Sequence, residues 1–295
     1  MKQTVILSGK GGTGKTTLTA ALAHLASVEM SLVLADADVD AANLELLLSP
    51  DRLEEHEFIG GFKARILQDR CTGCGRCMEV CRFGAVVISD NPLEHYHIDS
   101  IGCEGCNSCL HQCPENAVES SRNRAGTWYR SSSSYGPLFH AEMKAGEENS
   151  GKLVSTVKKA AEKECGESEC DLLMVDGPPG IGCPVIAACA GADLALISTE
   201  PGVSAIHDLR RILQTVDHFG VRSAVCVNKS DINASRTLEI ERFCSRENIP
   251  LLGRIPYDST VTSAMARGRP VTEFDPDCPA STSAARIWNR LASLL

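Results

Sequence analysis

Eight cysteines are arranged in two runs that share the spacing Cys-x2-Cys-x2-Cys-x3-Cys. Three thiolates two residues apart can wrap three corners of a cubic iron–sulfur cluster, and the intervening glycines (Gly73, Gly75, Gly105) permit the tight backbone turn. The fourth cysteine of each run lies too far along its own chain and is expected to ligate the other cluster. The pattern predicts two [4Fe–4S] clusters, one held by Cys71, Cys74, Cys77 and Cys113 and the other by Cys103, Cys106, Cys109 and Cys81.

Zinc and disulfides are the competing explanations for these cysteines. Zinc also binds paired cysteines but needs only four per ion, and two complete runs of four favour clusters. Disulfides would suit a secreted chain, yet no basic leader or apolar signal segment precedes the first strand, so we expect a reducing, cytoplasmic location. Arg82 stands where proline usually follows the run, and a cation there should raise the potential of the second cluster.

A glycine-rich loop lies between a predicted strand over residues 3–8 and a predicted helix that begins near Lys15. Its sequence, Gly-Lys-Gly-Gly-Thr-Gly-Lys-Thr-Thr, matches GxxxxGK[ST]. Such glycines turn backbone N–H groups toward phosphate oxygens, and the helix N-terminus adds its positive dipole end. Lys15 should reach the β- and γ-phosphates, and Thr16 should ligate Mg²⁺. The predicted nucleotide contacts are Gly11, Gly12, Thr13, Gly14, Lys15, Thr16 and Thr17.

An additional lysine in this loop, Lys10, makes the motif more specific. The run KGGTGKTT resembles the deviant phosphate-binding loop of the family that contains MinD, ParA and the nitrogenase iron protein. In that family the early lysine crosses a dimer interface to touch the partner's nucleotide. The resemblance therefore implies a catalytic role for Lys10 in trans, in which it stabilises charge on the transferred phosphoryl group as an arginine finger does.

Carboxylates at predicted strand ends complete the expected nucleotide site. Asp36, Asp38 and Asp40 end the second strand, where the family keeps its switch I carboxylates. The resemblance implies that Asp38 orients the attacking water and Asp36 belongs to the Mg²⁺ shell, with Asp40 as an alternative for either role. Asp176 opens the sequence Asp-Gly-Pro-Pro-Gly, which resembles the family's switch II. Asp176 would hold Mg²⁺ through water, and Gly180 would offer a backbone N–H to the γ-phosphate.

Two further positions leave alternatives open. Asn228 begins Asn-Lys-Ser-Asp, which matches the guanine-binding NKxD pattern of GTPases, although the family uses an asparagine here to contact adenine. The deviant loop favours ATP, and Asn228 is then an adenine contact. Cys183 follows Asp176 at the offset where the nitrogenase iron protein places a cysteine that binds a cluster bridging its dimer. The other cysteines are expected to be small buried side chains: Cys165, Cys170, Cys189, Cys226, Cys244 and Cys278.

Strands and helices alternate on both sides of the cysteine-rich segment. This rhythm predicts an α/β fold of the P-loop NTPase type, with a doubly wound parallel sheet formed by residues 1–59 and 122–295. Residues 60–121 are predicted to be an inserted α+β domain like a bacterial ferredoxin. The strands are expected at 31–35, 172–176, 194–198, 224–228 and 251–255, with helices at 205–219 and 237–247.

Two shorter segments also carry predictions. Residues 86–88 and 96–98 are expected to form a hairpin inside the insert. Residues 126–150 are polar and serine-rich, which favours a flexible return linker or a mobile segment between the modules.

Composition limits the classes of partner. The net charge of −9 argues against nucleic acid, because the phosphate backbone requires a basic surface. No run of about 18 apolar residues exists that would insert stably into a membrane. Apolar residues recur with helical spacing at the C-terminus, and the polar face carries only two arginines, so we expect this helix to pack on the sheet. These residues are Ala284, Ile287, Trp288, Leu291 and Leu295.

The whole chain resembles the MinD superfamily ATPases that contain an inserted ferredoxin domain and are related to Mrp-type iron–sulfur carriers. The resemblance includes the segments Cys-Arg-Phe-Gly-Ala at 81–85 and Glu-Asn-Ser-Gly-Lys-Leu-Val at 148–154. It implies an ATP- and Mg²⁺-dependent homodimer, or a heterodimer with a sister ATPase, and a redox or metal-cofactor partner protein. The first hypothesis is an electron donor gated by ATP-driven dimer closure. The second is iron–sulfur or metal-cofactor assembly, and the third is a MinD/ParA-type spatial organiser with redox-sensing clusters.

Overall fold

The computed structural model describes residues 1–147 and 150–295, so Glu148 and Asn149 of one family-like segment lie outside the described residues. The chain divides into two compact units. The first contains Met1–His56, Trp128–Glu142 and Ser150–Leu295, and the second contains Glu57–Thr127 and Met143–Asn149. The strands are β1 (Lys2–Ser8), β2 (Leu32–Asp36), β3 (Asp51–Ile66), β4 (Val86–Ile88), β5 (Tyr96–Ile98), β6 (Val118–Ser133), β7 (Gly136–Met143), β8 (Leu172–Pro179), β9 (Leu194–Thr199), β10 (Arg222–Val227) and β11 (Leu251–Arg254). The helices are α1 (Lys15–Ser27), α2 (Leu44–Leu48), α3 (Arg76–Glu79), α4 (Ser108–Gln112), α5 (Ser150–Glu167), α6 (Cys183–Cys189), α7 (Ala205–His218), α8 (Ala234–Arg246), α9 (Ser259–Met265), α10 (Val271–Phe274) and α11 (Pro279–Ala292).

Nine strands form one sheet in the order β11-β10-β9-β1-β8-β2-β7-β6-β3. Every neighbouring pair from β11 through β7 is parallel. The predicted α/β fold with a large, mostly parallel sheet is therefore confirmed. Strand β1 lies between β9 and β8, with β2 beyond β8, so the loop after β1 follows a strand at which the chain order of the sheet reverses. Ligands of open α/β sheets bind outside the carboxyl ends of the strands at such a point.

Helices cover the sheet because its parallel strands are apolar on both faces. Ile6 of β1, Leu34 of β2 and Met174 of β8 belong to one buried cluster that also contains Leu22 of α1 and Ile287 of α11. Helices α5, α6 and α7 also contact strands of the sheet, but none of their described residues belongs to this cluster. Alternate side chains of the strands thus pack against two different layers of helices.

The C-terminal helix α11 packs into the core, as its apolar spacing predicts. Ala284, Ile287, Trp288 and Leu291 are buried, and the indole Nε1 of Trp288 donates a hydrogen bond of 3.0 Å to Glu29. Across residues 1–147 and 150–295, no helix combines the length and the apolar character needed to span a bilayer.

The prediction of a flexible linker is wrong for residues 126–143, which belong to β6, β7 and the turn between them. Ser131 is fully buried, and its hydroxyl lies 2.9 Å from Nε2 of His140 in β7. The hydroxyl of Ser133 donates to the carbonyl oxygen of Gly136 within the turn. These serine hydroxyls form hydrogen bonds with a neighbouring strand and within a turn. A polar composition alone therefore gives the wrong prediction for this segment.

The second unit contains a small hairpin and two short helices. Strands β4 and β5 pair antiparallel, with Val86 opposite Ile98, which confirms the predicted hairpin. The predicted insert at residues 60–121 lies inside this unit. The unit extends beyond those bounds because the long strands β3 and β6 continue through both boundaries.

Two of the cysteines outside the runs, Cys165 and Cys170, form a disulfide, which the sequence did not predict. Both are buried, and their Cα atoms are 4.8 Å apart. Helix α5 ends between them, and the N–H of Cys170 donates to the carbonyl of Cys165 across a turn in which Glu169 has a φ of 53°. The turn at the helix end therefore brings the two side chains together.

Candidate functional site

The glycine-rich loop joins the buried strand β1 to the N-terminus of α1. Gly12 and Gly14 have φ angles of 80° and 82°, in the left-handed region that favours glycine. A Cβ atom on Gly14 would lie 2.3 Å from Nδ2 of Asn228, so no larger residue fits there. The same Nδ2 atom donates a 2.8 Å hydrogen bond to the carbonyl of Thr13. The loop is thus held in shape by the residue that follows β10.

Lys15 begins helix α1 and is buried, with 6 % of its side chain exposed. Its Nζ lies 3.8 Å from Oδ2 of Asp38. Asp38 follows β2, so the loop lysine and the predicted water-orienting carboxylate lie side by side. A buried ammonium group at a helix N-terminus provides a strongly positive site for phosphate oxygens.

Two carboxylates lie opposite each other in direct register on adjacent strands, Asp36 at the end of β2 and Asp176 within β8. Both are fully buried, and burial raises the pKa of each carboxyl group. The charge of Asp176 raises the pKa of Asp36 further, whereas Lys15 opposes the increase at Asp176. Such a pair of buried acids favours a divalent cation, because the cation offsets their mutual repulsion.

Asp176 has one oxygen available for that cation. Its Oδ1 accepts a 2.9 Å hydrogen bond from the hydroxyl of Thr19. Its Oδ2 is buried and has no hydrogen-bond partner among the described residues. A Mg²⁺ ion, or a water bound to it, would satisfy this atom, and Thr16 in the same turn of α1 fits the predicted second ligand.

Asp36 has a different environment. Its Oδ1 accepts from the N–H of Asp38, and its Oδ2 accepts from the N–H groups of Asn43 and Leu44 at the start of α2. The carboxylate therefore fixes the chain that follows β2. Its predicted place in the Mg²⁺ shell stays a prediction and would be combined with this positioning role.

The predicted γ-phosphate donor, Gly180, is engaged within the chain. Its N–H donates to the carbonyl of Ser8 at 2.9 Å, and its φ of 88° is in the left-handed region. The predicted contact between this N–H and the γ-phosphate therefore requires the hydrogen bond to Ser8 to open.

Lys10 points its ammonium group at a carboxylate that the sequence reasoning missed. Nζ of Lys10 lies 2.8 Å from Oε1 of Glu200, the residue directly after β9. Nζ of Lys229 lies 3.1 Å from the other oxygen of Glu200. The available signal was position, because Glu200 directly follows an apolar strand of the parallel sheet, just as Asp36 ends the apolar strand β2.

A cavity of about 870 Å³ opens beside these groups. It reaches from the glycine loop and Lys15 to Asn228, and then to Pro256 and Tyr257 in the segment after β11. This segment was also missed by the sequence reasoning. Thr17 and Asp40 line the cavity as well, and Asp40 is exposed, so it remains an alternative to Asp38.

Asp38 is the acid whose ionisation should control turnover in the accessible pH range. Burial raises its pKa to about 6, against the opposing charge of Lys15. A carboxylate that orients water must be ionised, so we expect ATP turnover at saturating MgATP to fall as the pH drops through about 6. Asp38→Asn should lower turnover by about 100-fold or more across the pH range. A wild-type profile that stays flat through this region, or an active Asp38→Asn variant, would transfer the role to Asp40.

The eight cysteines of the two runs are brought together in two sets of four. One small cavity is lined by Cys71, Cys74, Cys77 and Cys113. The other is lined by Cys81, Cys103, Cys106 and Cys109. Each set combines three cysteines of one run with the fourth of the other, which is the grouping that the spacing predicts.

Within residues 1–147 and 150–295, no three His, Cys, Asp or Glu side chains lie close enough to hold one metal ion. A single tetrahedral zinc needs thiolates within about 2.3 Å of one point, whereas a cubane spreads its four thiolates around four iron atoms. Each small cavity is lined by four cysteines, which is the number of thiolates that a [4Fe–4S] cluster requires.

Glycine geometry supports the turns around these cysteines. Gly73, Gly75 and Gly105 all have positive φ angles, between 63° and 78°. A Cβ atom on Gly105 would lie 2.1 Å from the carbonyl oxygen of Phe62, so this turn also packs tightly against β3.

Arg82 lies on the side of the second cysteine set. Its guanidinium stacks over the ring of Phe83, 4.9 Å from the ring centroid. The hydroxyl of Ser108, and to a smaller extent the charge of Arg82, lower the pKa of Cys106. The predicted effect of Arg82 on a cluster potential stays a prediction, with the charge at the expected place.

Cys183 is exposed and begins helix α6, unlike Cys189, Cys226, Cys244 and Cys278, which are buried as expected. A shared interface cluster at Cys183 stays an open alternative.

Comparison with known proteins identifies the family to which this chain is related. The family model of the CobQ/CobB/MinD/ParA nucleotide binding domain matches residues 4–271. An uncharacterized protein of Methanocaldococcus jannaschii is 36 % identical over 230 residues, which cover 77 % of this chain and 78 % of that protein. A putative septum site-determining protein MinD of Nephroselmis olivacea is 27 % identical over 276 residues, covering 90 % and 78 %. The fold matches that of the Pyrococcus horikoshii MinD complexed with Mg-ADP, with a TM-score of 0.61, 18 % identity and coverage of 99 % and 96 %. The chain belongs to the CobQ/CobB/MinD/ParA family, and it is an ATPase of the MinD/ParA type.

Proposed function

We propose that this ATPase uses ATP-driven dimer closure to gate electron transfer from two [4Fe–4S] clusters in its second unit to a partner protein. The observation that carries the proposal is the arrangement of eight cysteines in two crossed sets of four around two small cavities. A chain that needed only nucleotide switching would have no use for two such sets.

The nucleotide half of the proposal assigns MgATP to the cavity beside the glycine loop. Lys15 neutralises phosphate charge, Thr16 and Asp176 hold Mg²⁺, and Asp38 orients the attacking water. The orphaned Oδ2 of Asp176 and the buried acid pair favour a bound divalent cation. The MinD with which the chain shares its fold is complexed with Mg-ADP, which supports a magnesium-bound adenine nucleotide in this cavity.

The cysteine half of the proposal assigns one cluster to each set. A [4Fe–4S] cluster held there would supply one-electron transfer at a potential set by its surroundings. The chain's own contribution is to bury Cys77, Cys103 and Cys109 while Cys74 and Cys106 stay exposed. An exposed ligand on each set gives a partner protein a short path to either site.

Dimer closure is the proposed link between the two halves. Lys10, which pairs with Glu200 within the chain, would contact the nucleotide of a second chain, either an identical copy or a sister ATPase. Formation of that contact requires both nucleotides, so the closed dimer exists only with ATP bound.

Lys10→Ala therefore tests the proposal. We expect ATP binding within about twofold of wild type, and turnover lower by at least about 100-fold, since a cation supplied in trans to a phosphoryl group has an effect of this order or larger. An anaerobic EPR redox titration with and without MgATP supplies the second measurement. The wild-type protein should show a nucleotide-dependent potential shift that Lys10→Ala lacks.

Other outcomes would redirect the proposal. Normal turnover of Lys10→Ala would exclude the role in trans. EPR signals at unchanged potential in both proteins would favour cluster assembly, in which the exposed Cys74 and Cys106 belong to a releasable site. Failure of the anaerobically reconstituted protein to hold iron would remove the iron–sulfur half altogether.

A spatial organiser of the MinD kind is the second candidate. Several relatives are named as septum site-determining MinD proteins or putative ones, which supports this candidate at the level of the family. The burial of α11 weighs against it, because Ile287, Trp288 and Leu291 are committed to the core. ATP-dependent pelleting with anionic liposomes or with DNA would support the organiser, and its absence with both would exclude these two surfaces.

A further inference from the structure

The carboxylate of Glu200 joins three parts of the nucleotide site in one chain. It follows β9 directly, and its side chain is 21 % exposed. Oε1 pairs with Lys10 at 2.8 Å, and Oε2 pairs with Lys229 at 3.1 Å. Neither lysine is a neighbour of Glu200 in sequence, so the fold has assembled this arrangement.

Lys229 links the same carboxylate to the glycine loop. Its Nζ also donates a 2.9 Å hydrogen bond to the carbonyl of Gly12. Lys229 has a φ of 50°, which is uncommon for a residue with a side chain, and its N–H bonds to the Oδ1 of Asn228. The contact between Lys229 and the glycine loop therefore does not involve Lys10.

We propose that Glu200 is a positioning residue that holds Lys10 within its own chain until the triphosphate of a partner chain displaces it. The proposal rests on the proposed role of Lys10 in trans. Lys10 can reach a partner only after its ammonium group leaves Glu200. The strength of the Lys10–Glu200 pair thus sets how favourable the contact between Lys10 and the partner's nucleotide must be before the dimer closes.

The two-lysine arrangement makes this exchange feasible. A partly buried carboxylate that lost its only cation would be strongly destabilised. Here Lys229 keeps Oε2 paired when Lys10 departs, so the departure leaves no uncompensated charge. MgATP carries more negative charge than MgADP, and the exchange therefore favours the triphosphate. Glu200 would add discrimination between the two nucleotides at the step of dimerisation.

The variant Glu200→Gln tests this proposal, because it removes the charge and keeps the shape and an acceptor for Lys229. We expect MgATP-dependent dimerisation, measured by analytical ultracentrifugation, at a protein concentration about threefold to tenfold lower than for wild type. The variant should also dimerise measurably with MgADP. Glu167→Gln is the matched control, since Glu167 is an exposed glutamate that pairs with Lys163 along α5, and its loss should leave dimerisation unchanged.

A double-mutant cycle separates positioning from a structural role. In a Lys10→Ala background, Glu200→Gln should have no further effect on dimerisation, while thermal unfolding of both variants stays near wild type. Unchanged or weaker dimerisation of Glu200→Gln alone, or an equal gain with Lys10 absent, would overturn the proposal. Normal dimerisation of Lys10→Ala itself would instead overturn the role in trans, so the two failures are distinguishable.

Discussion

Lys15→Ala is expected to abolish nucleotide binding, with an affinity loss of at least about 100-fold, because the buried ammonium group is a principal counter-charge to the phosphates. Lys15 is also the nearest cation to Asp38 and opposes the raised pKa of Asp176. Its removal takes away the ammonium group that pairs with Asp38 and offsets the negative charge of the site. Equilibrium binding of a fluorescent ATP analogue measures the effect.

Lys163→Ala is the matched control for that experiment. Lys163 is an exposed lysine that pairs with Glu167 one turn along α5, and its removal should leave the affinity unchanged. Undiminished ATP affinity of Lys15→Ala would overturn the assignment of the glycine loop. A melting temperature near that of the wild type would show that any loss is local to the site.

Cys113→Ser and Cys81→Ser are each expected to remove one cluster. Cys113→Ser should remove the cluster of Cys71, Cys74 and Cys77, and Cys81→Ser should remove the cluster of Cys103, Cys106 and Cys109. Iron content should fall from about eight to about four atoms per chain in either variant, since a [4Fe–4S] cluster needs four ligands. EPR of the reduced proteins should retain one signal in each case, and the retained signals should differ. Iron analysis and EPR after anaerobic reconstitution measure both effects.

Cys244→Ala provides the control, because Cys244 is a buried thiol of the first unit that belongs to neither set. It should retain all iron. Loss of both clusters in Cys113→Ser would indicate that the sites are interdependent. If Cys113→Ser lost the same cluster as Cys103→Ser instead of the one lost by Cys71→Ser, the crossed grouping would be refuted. Binding of zinc in place of iron would indicate that the two sets are structural zinc sites.

The positions of the candidate site residues were predictable where their spacing is local. The glycine loop, the strand-end aspartates and the two cysteine runs each carry their spacing within a short segment, and the fold places each at the carboxyl edge of the sheet or around its own cavity. Apolar strands such as β8 and β9 were also predictable, since parallel strands covered on both faces are near-continuous apolar runs.

Features that depend on distant residues were not predictable. The proposed role of Glu200 depends on two lysines, one 190 residues before it and one 29 residues after it. No sequence spacing rule relates these three residues. Ser131 is typical of a linker by composition, but in the fold its hydroxyl contacts the imidazole of His140. The engaged N–H of Gly180 likewise follows from the proximity of Ser8 in a neighbouring strand.

The register of β2 against β8 has a consequence for how this chain can change. Asp36 and Asp176 meet because their strands are aligned residue for residue from Leu32 and Leu172 onward. A single inserted or deleted residue in either strand would separate the two acids and turn apolar side chains to the wrong face. Tolerance for added sequence is therefore expected elsewhere, for example along β3 and β6, the last two strands of the sheet order, which continue into the second unit. A change of length there would leave the alignment of Asp36 with Asp176 intact.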